Sequence, residues 1–296
     1  MRRLKTVAVV GVGLIGGSFA LALRRAGGVA TIVGADRDAA ALERATALGV
    51  IDTAAESAAD AARGADLVFI SVPVRQIPTV LHDVALAIDP TAVITDAGST
   101  KEEVVRRARE EMRDRFPRFV PGHPIAGRET SGVESATVEL FRGARVVLTP
   151  CEETDADAVD LARTCWEAVG ARVALTTARQ HDEIFASVSH LPHLLAFALV
   201  SELGSRDNAS ELFSFAAGGF RDFTRIAGSS PEMWRDIALQ NRDALLAELE
   251  RYEGRLAVFR ELIDKGDGPA LERLMREARS ARHAWLSGSK RSPSSE

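Results

Sequence analysis

The first residues able to do chemistry form a glycine pattern, Gly11-Val12-Gly13-Leu14-Ile15-Gly16. It follows an apolar run at 6–10 and opens an Ala-rich helical stretch. In a strand–turn–helix context the first glycine permits a tight turn, the second lets a pyrophosphate approach the backbone, and the third lets helix and strand pack closely. Phosphates then meet the unpaired N–H groups at the helix start, around Leu14 and Ile15, where the dipole favours negative charge. Asp36 follows about 20 residues on, at the end of a second apolar run, where such a carboxylate accepts hydrogen bonds from the adenosine ribose hydroxyls. It also repels a 2′-phosphate, which favours NAD as cofactor and makes NADP the weaker expectation. Arg37 argues the other way, since a neighbouring arginine can hold that phosphate.

Two further segments leave apolar runs in the same manner. Ser71-Val72-Pro73 and Asp96-Ala97-Gly98-Ser99-Thr100-Lys101 both lie where a doubly wound sheet exposes loops toward the nicotinamide half of a dinucleotide. Ser99 and Lys101 are therefore candidates to face a substrate, although Ser99 also reads as the cap of a helix beginning at Lys101. Pro121-Gly122-His123-Pro124-Ile125-Ala126-Gly127 reads as a polar, helix-breaking loop. An imidazole held between Gly and Pro is either a structural loop residue or a general base, its ordinary pKa lying near 6.5. His190 and His193 stand three apart on a helical pattern, but no acidic or third ligand accompanies them and no metal is expected.

Five segments occur in order: the glycine pattern continued by Gly17-Ser18; Asp96 to Lys101; His123-Pro124-Ile125-Ala126-Gly127; Ser189-His190-Leu191-Pro192-His193; and Gly218-Gly219-Phe220-Arg221-Asp222-Phe223-Thr224-Arg225-Ile226-Ala227. Together they resemble the prephenate and arogenate dehydrogenases, from about residue 7 to residue 234. The glycine pattern is common to many dehydrogenases, whereas the segments around His123 and Arg225 are far more particular. The resemblance implies oxidative decarboxylation of prephenate to 4-hydroxyphenylpyruvate with hydride transfer to NAD, in tyrosine biosynthesis, or the matching reaction of arogenate. It implies that His123 is the catalytic base and Ser99 its hydrogen-bonding companion. By the same resemblance Arg225 holds a substrate carboxylate, His193 helps place substrate and cofactor, and Asp222 and Trp234 stand near the substrate end. Arg128 suits a keto acid and Glu129 an amino acid, so these two leave the substrate's side chain open. Some members of that family carry a C-terminal regulatory domain that binds an amino acid; none is expected here, so inhibition by tyrosine is expected at the active site. The rivals are a β-hydroxyacid-type dehydrogenase, which would need a lysine base that the 181–203 helix lacks, and an NAD-binding sensor without turnover.

The elements that must position these groups fall into two parts. Up to residue 177, short apolar runs at 6–10, 31–35, 67–72, 92–95, 145–149 and 172–176 alternate with helical stretches. This predicts a doubly wound, Rossmann-type parallel sheet that binds the dinucleotide, with Val72 and Pro73 at its groove. Residues 178–286 read as all helical, a substrate and dimerisation domain, with the active site in the cleft between the two parts. A helix over 181–203 is bent by Pro192. Ser230-Pro231-Glu232 starts a helix that carries Trp234, Ile237, Leu245, Leu249, Tyr252, Leu256, Phe259 and Ile263 as one apolar stripe, long enough to pair with a second subunit. A last helix spans 269–285, and the Ser- and Lys-rich tail 287–296 is expected to be disordered.

Bulk properties narrow the class. The chain has 296 residues, of which 46% are hydrophobic and 27% charged, with a formal net charge of −5, as for a soluble globular protein. No basic stretch suggests nucleic-acid binding. The two cysteines, Cys151 and Cys165, match neither a zinc site nor a disulfide framework. The basic start resembles a secretion signal, but the glycine pattern accounts for it better. No apolar segment is expected to reach the roughly 20 residues that span a bilayer. A cytoplasmic homodimer acting on a small molecule, away from membranes, is the expectation.

Overall fold

The computed structural model describes residues 3–128 and 130–289. The described chain falls into two compact units, Met1–Leu245 and Leu246–Glu296.

The first unit alternates strands and helices: β1 (Leu4–Val10), α1 (Leu14–Arg25), β2 (Val29–Ala35), α2 (Ala39–Ala47), β3 (Thr53–Ala54), α3 (Ala58–Ala62), β4 (Leu67–Ile70), α4 (Ile77–Ala85), β5 (Val93–Asp96), α5 (Glu102–Met112) and β6 (Phe119–Val120). These six strands form one parallel sheet in the order β3-β2-β1-β4-β5-β6. That is the doubly wound order, and its switch point lies between β1 and β4. The unbroken apolar run of β1 has a simple cause. Val7 and Val9 face one covering layer, with Phe19, Phe69, Phe141 and Trp166, while Ala8 and Val10 face the other, with Ile77, Leu81 and Val104. With a side-chain period of two, both faces must be apolar when both are covered. The first layer centres on aromatic contacts: Phe19 lies 4.2 Å from Phe69 and 4.9 Å from Trp166 between ring centroids.

The chain then leaves this sheet. Next come β7 (Gly122–Ile125), β8 (Arg145–Leu148), α6 (Ala156–Ala168) and β9 (Arg172–Leu175). These strands make a separate three-stranded sheet, with β7 antiparallel to β8 and β8 parallel to β9. Two expectations are corrected here. The runs at 145–149 and 172–176 do not extend the doubly wound sheet, and the segment holding His123 is a strand, not a loop. The departure occurs at Pro121-Gly122, where Asp96 at the end of β5 accepts the Gly122 N–H with its Oδ1 at 3.0 Å. A Cβ at Gly122 would lie 2.9 Å from the Asp96 carbonyl oxygen, so the close crossing demands glycine.

The helical part of this unit begins with α7 (Ala178–Phe185), a π-helical turn at Ala186–His190 and α8 (Leu191–Gly204). The irregular turn directly precedes Pro192, whose ring clashes with a carbonyl one turn earlier and lacks an N–H. The run Ala178–Gly204 is long and apolar enough, by length and composition, to cross a bilayer, contrary to the sequence expectation. Yet His181, Asp182 and His190 within it are buried and hydrogen-bonded inside the protein. Then follow α9 (Ala209–Ser214), α10 (Gly218–Thr224) and α11 (Pro231–Gln240), the last capped by the Ser230 hydroxyl as its sequence predicts.

The single long helix expected after Ser230 is two helices. Asn241 leaves helical geometry, with φ −103° and ψ 38°, and α12 (Arg242–Asp264) starts afresh. The Asn241 side chain explains the break, since its Nδ2 donates to the Asp182 carbonyl at 2.8 Å and lies 3.0 Å from His190 Nδ1. In the second unit, α12 leaves Leu246, Leu256 and Ile263 exposed, and α13 (Gly268–Ser289) leaves Met275 exposed. That last helix runs beyond residue 285, into the expected tail. Residues 290–296 of the tail, and Glu129, lie outside the described residues.

Candidate active site

The glycine turn behaves as its spacing requires. Gly11 has φ +91°, and a Cβ on it would lie 2.6 Å from the Ser71 carbonyl oxygen. The Ser71 hydroxyl donates to the Gly11 carbonyl at 2.7 Å, pinning the turn to the end of β4. Gly13 is different: nothing lies within 4 Å of an added Cβ, so that side of the backbone is open. Gly13 also begins α1 without a side-chain cap, and Leu14 and Ile15 are its first helical residues. The leading N–H groups of α1 therefore have no side-chain acceptor, as an anion-binding helix start needs. The Asp36 carboxylate accepts from Val12 N at 2.9 Å and from Asp38 N at 3.0 Å. Each oxygen keeps a further lone pair for a diol. A dinucleotide thus fits the residues present.

Beside this turn runs a groove of about 580 Å³, lined by Ile15, Arg37, Val72, Pro73, Ser99 and Arg235 among others. The structure therefore brings five of the sequence-selected residues to one groove. Ser99 does not cap the next helix; α5 starts from Lys101, which has no capping side-chain acceptor of its own. Lys101 does not face the groove either, which corrects its reading as a substrate-facing residue. Its side chain is fully buried and paired with Asp96, Nζ to Oδ2 at 2.5 Å. A buried ammonium persists only with such a partner.

His123 lies on β7, next to this pair. Its Nδ1 is 2.8 Å from Nε2 of His181, and His181 Nδ1 is 2.7 Å from Asp182 Oδ1. The Phe185 ring packs on both imidazoles, at 4.8 Å from His123 and 4.5 Å from His181 between centroids. Burial holds His123 well below the usual imidazole pKa, reinforced by the nearby His181, Lys101 and His190. Burial likewise lowers His181, against the opposing pull of Asp182. His190 is pushed down to about 4, again mainly by burial. The imidazoles are neutral at neutral pH, the state a base requires.

His181, Asp182, Asp96 and Asn241 were not singled out by the sequence. His181 and Asp182 adjoin each other just after a Thr177-capped helix start, the one local cue available. Their partner His123 is 58 residues away, and no spacing rule links them.

His193 stacks on Trp234, ring centroids 3.6 Å apart and planes 20° apart. His193 Nδ1 faces the Ser189 carbonyl at 2.9 Å, which makes Nδ1 the protonated nitrogen and leaves Nε2 able to accept. Burial lowers its pKa, and the Arg225 guanidinium is close enough to lower it further. Arg225 opens the one-turn 3₁₀ segment Arg225–Gly228 after α10 and is exposed. Trp234 also closes a small apolar cavity of about 200 Å³ with His190, Leu194 and Phe197. Its Nε1 is buried without a hydrogen-bond partner among the described residues. Asp222 is exposed on α10, and its side chain shows no polar contact among the described residues. No group of three or more metal-ligating side chains occurs among the described residues.

Comparisons with known proteins fall on the whole of this architecture. Residues 19–175 match the family model of the prephenate dehydrogenase nucleotide-binding domain, and residues 177–277 match that of the prephenate dehydrogenase dimerization domain. A cyclohexadienyl dehydrogenase of Zymomonas mobilis is 36% identical over 282 residues, covering 95% of this chain and 96% of that protein. The crystal structure of prephenate dehydrogenase from Aquifex aeolicus in complex with hydroxyphenyl propionate and NAD+ superposes with a TM-score of 0.89 at 38% identity, covering 95% of this chain and 98% of that one. The arogenate dehydrogenase of Synechocystis superposes with a TM-score of 0.81 at 31% identity, covering 95% of this chain and 99% of that one.

Proposed function

The chain belongs to the prephenate dehydrogenase family, and we propose that it oxidises prephenate to 4-hydroxyphenylpyruvate, with NAD as hydride acceptor and loss of carbon dioxide, on the route to tyrosine. It is an NAD-dependent dehydrogenase. One observation carries the assignment of the reacting end: a hydrogen-bonded imidazole, His123, on a strand that crosses the end of β5, whose next residues, Ala97 to Ser99, line the dinucleotide groove.

NAD supplies the hydride acceptor when bound; the turn set by Gly11 and Gly16, with its open side at Gly13 and the start of α1, would hold its phosphates, and Asp36 its ribose. His123 takes the proton from the ring hydroxyl as hydride leaves the same carbon. Ser99 hydrogen-bonds at that oxygen. The electrons of the bond broken on carbon dioxide loss remain in the ring and restore aromaticity, and the proton held by His123 returns to the ring oxygen as the phenol forms. Arg225 holds a carboxylate, for which its planar fork is suited. His193, stacked on Trp234, places the substrate, and Asp222 lies farther out at its end. A positioned base of this kind contributes on the order of 10²–10⁴ in rate.

Arogenate is the second substrate reading, since the matched relatives carry prephenate, cyclohexadienyl and arogenate names at comparable identity. The division at residue 177, with 178–286 as a helical substrate and dimerisation domain, belongs to the same proposal and is supported by the junction of the two family models. A homodimer is supported by the second model's description and by the exposed apolar side chains of α12 and α13. A cytoplasmic location is supported by the free thiols of Cys151 and Cys165. The deciding experiment measures turnover of prephenate and of arogenate, each with NAD and with NADP. Prephenate with NAD should give the highest kcat/KM; turnover of neither substrate would refute the assignment.

A further inference from the structure

We propose that Asp182, acting through His181, fixes the tautomer of His123 so that Nε2 is its basic nitrogen. The proposal rests on the reading of His123 as the base, but the tautomer can be observed without reference to turnover.

The argument starts from the carboxylate. Asp182 Oδ1 accepts from the Lys101 N–H at 2.8 Å, and Oδ2 accepts from the Glu102 N–H at 2.9 Å. Those donors are the start of α5, 81 and 80 residues away in sequence, so Asp182 caps a helix on which it does not lie. Its side chain is buried and both oxygens are held in place. A carboxylate can only accept hydrogen bonds. Nδ1 of His181, facing Oδ1, must therefore carry the proton.

A neutral imidazole protonated on Nδ1 has its lone pair on Nε2. Burial keeps His181 in that neutral form. His181 Nε2 is therefore the acceptor of its bond to His123, and His123 Nδ1 is the donor. The only lone pair left on the His123 ring is on Nε2. Each link has a single consistent direction, from His123 through His181 to Asp182. When His123 takes a proton, its Nδ1–H is already bonded to His181, whose other nitrogen is bonded to the carboxylate. The new positive charge is thus shared through His181 toward Asp182. The groups facing His123 are His181 and Phe185 of α7, His190 of the π turn and Lys101 at the start of α5, so Asp182 and the paired Asp96 are the nearby counter-charges.

This arrangement makes Asp182 and His181 positioning residues, following the orienting logic of acid–base triads with an imidazole inserted as a spacer. Nitrogen NMR of the enzyme labelled with ¹⁵N-histidine tests it. The His123 and His181 resonances are assigned by their loss in His123→Asn and His181→Gln. The expected result is a proton on Nδ1 of both rings at neutral pH; a His123 ring protonated on Nε2 overturns the proposal. A kinetic arm uses His181→Phe, which removes the acceptor, and His181→Gln, which restores one in an amide. The first should lower kcat on the order of 10²-fold with KM for prephenate and NAD little changed, and the second should recover part of that loss. Undiminished kcat in His181→Phe also overturns it. If that variant does not fold, the wild-type spectrum still decides. Should His123→Asn retain full turnover while the spectrum shows the expected tautomer, the base assignment fails and the tautomer assignment stands.

Discussion

Gly16 lies so close to Gly11 that a Cβ on Gly16 would sit 2.0 Å from the Gly11 carbonyl oxygen and 2.4 Å from Ser71 Oγ. Gly13, three residues earlier, would meet nothing within 4 Å, and its φ of −72° suits any residue. One glycine is required by packing and the other by something outside the chain.

Gly16→Ala and Gly13→Ala should therefore fail differently. The first forces backbone apart where α1 crosses β1 and β4, and should cost stability on the scale of core overpacking, about 1–3 kcal/mol or more. The second should melt like the wild type while NAD binding weakens at least about tenfold, because the methyl occupies the phosphate approach. Thermal melts and NAD titration of both variants check this; equal NAD affinity in Gly13→Ala would remove the open side of the turn from the cofactor site.

His123→Asn should lower kcat by at least about 10² with substrate affinity nearly unchanged. The pH profile gives a second reading. Burial lowers the His123 pKa, so its neutral form persists to well below the ordinary value near 6.5. In the wild type kcat/KM should stay level through neutral pH and fall only on the acid side of that value. An acid limb centred at or above about 6.5 would show that His123 is not held as described.

Arg225→Ala should mainly raise the KM for prephenate and leave kcat far less affected, as expected when a substrate-anchoring charge is lost. Because Arg225 also depresses the pKa of His193, the same variant should raise the His193 titration, visible in its NMR shifts. An unchanged KM would mean that another residue holds the carboxylate.

The histidines held below their ordinary pKa should make the fold acid-sensitive. His123, His181 and His190 have folded pKa values below their unfolded ones. Between the two values the unfolded chain binds more protons, so stability falls as pH drops below about 6.5. For His190, lowered from 6.5 to about 4, the loss is on the order of 3 kcal/mol once pH is below the folded value. Denaturant melts stepped down through this window should show it, and His190→Gln should flatten the slope. A pH-independent midpoint across that range would contradict neutral burial of these rings.

What the sequence determined by itself was local. The glycine turn, Asp36 and the loops after β4 and β5 were legible because strand, turn and helix are contiguous, and their geometry follows from a few neighbouring dihedral angles. The helix start at Ser230 was legible for the same reason. The strand character of His123 was not. Proline and glycine around it read as loop, yet β7 is the edge of its sheet, where Pro124 needs no ladder partner on its outer side. Nor was the sheet membership of β8 and β9 legible, since a run of apolar residues does not name its neighbour. The chain from His123 to His181 to Asp182, and the capping of α5 by Asp182, were decided only in three dimensions. Its members come from segments 58 to 81 residues apart, and it is the burial of their polar atoms that compels them to find one another.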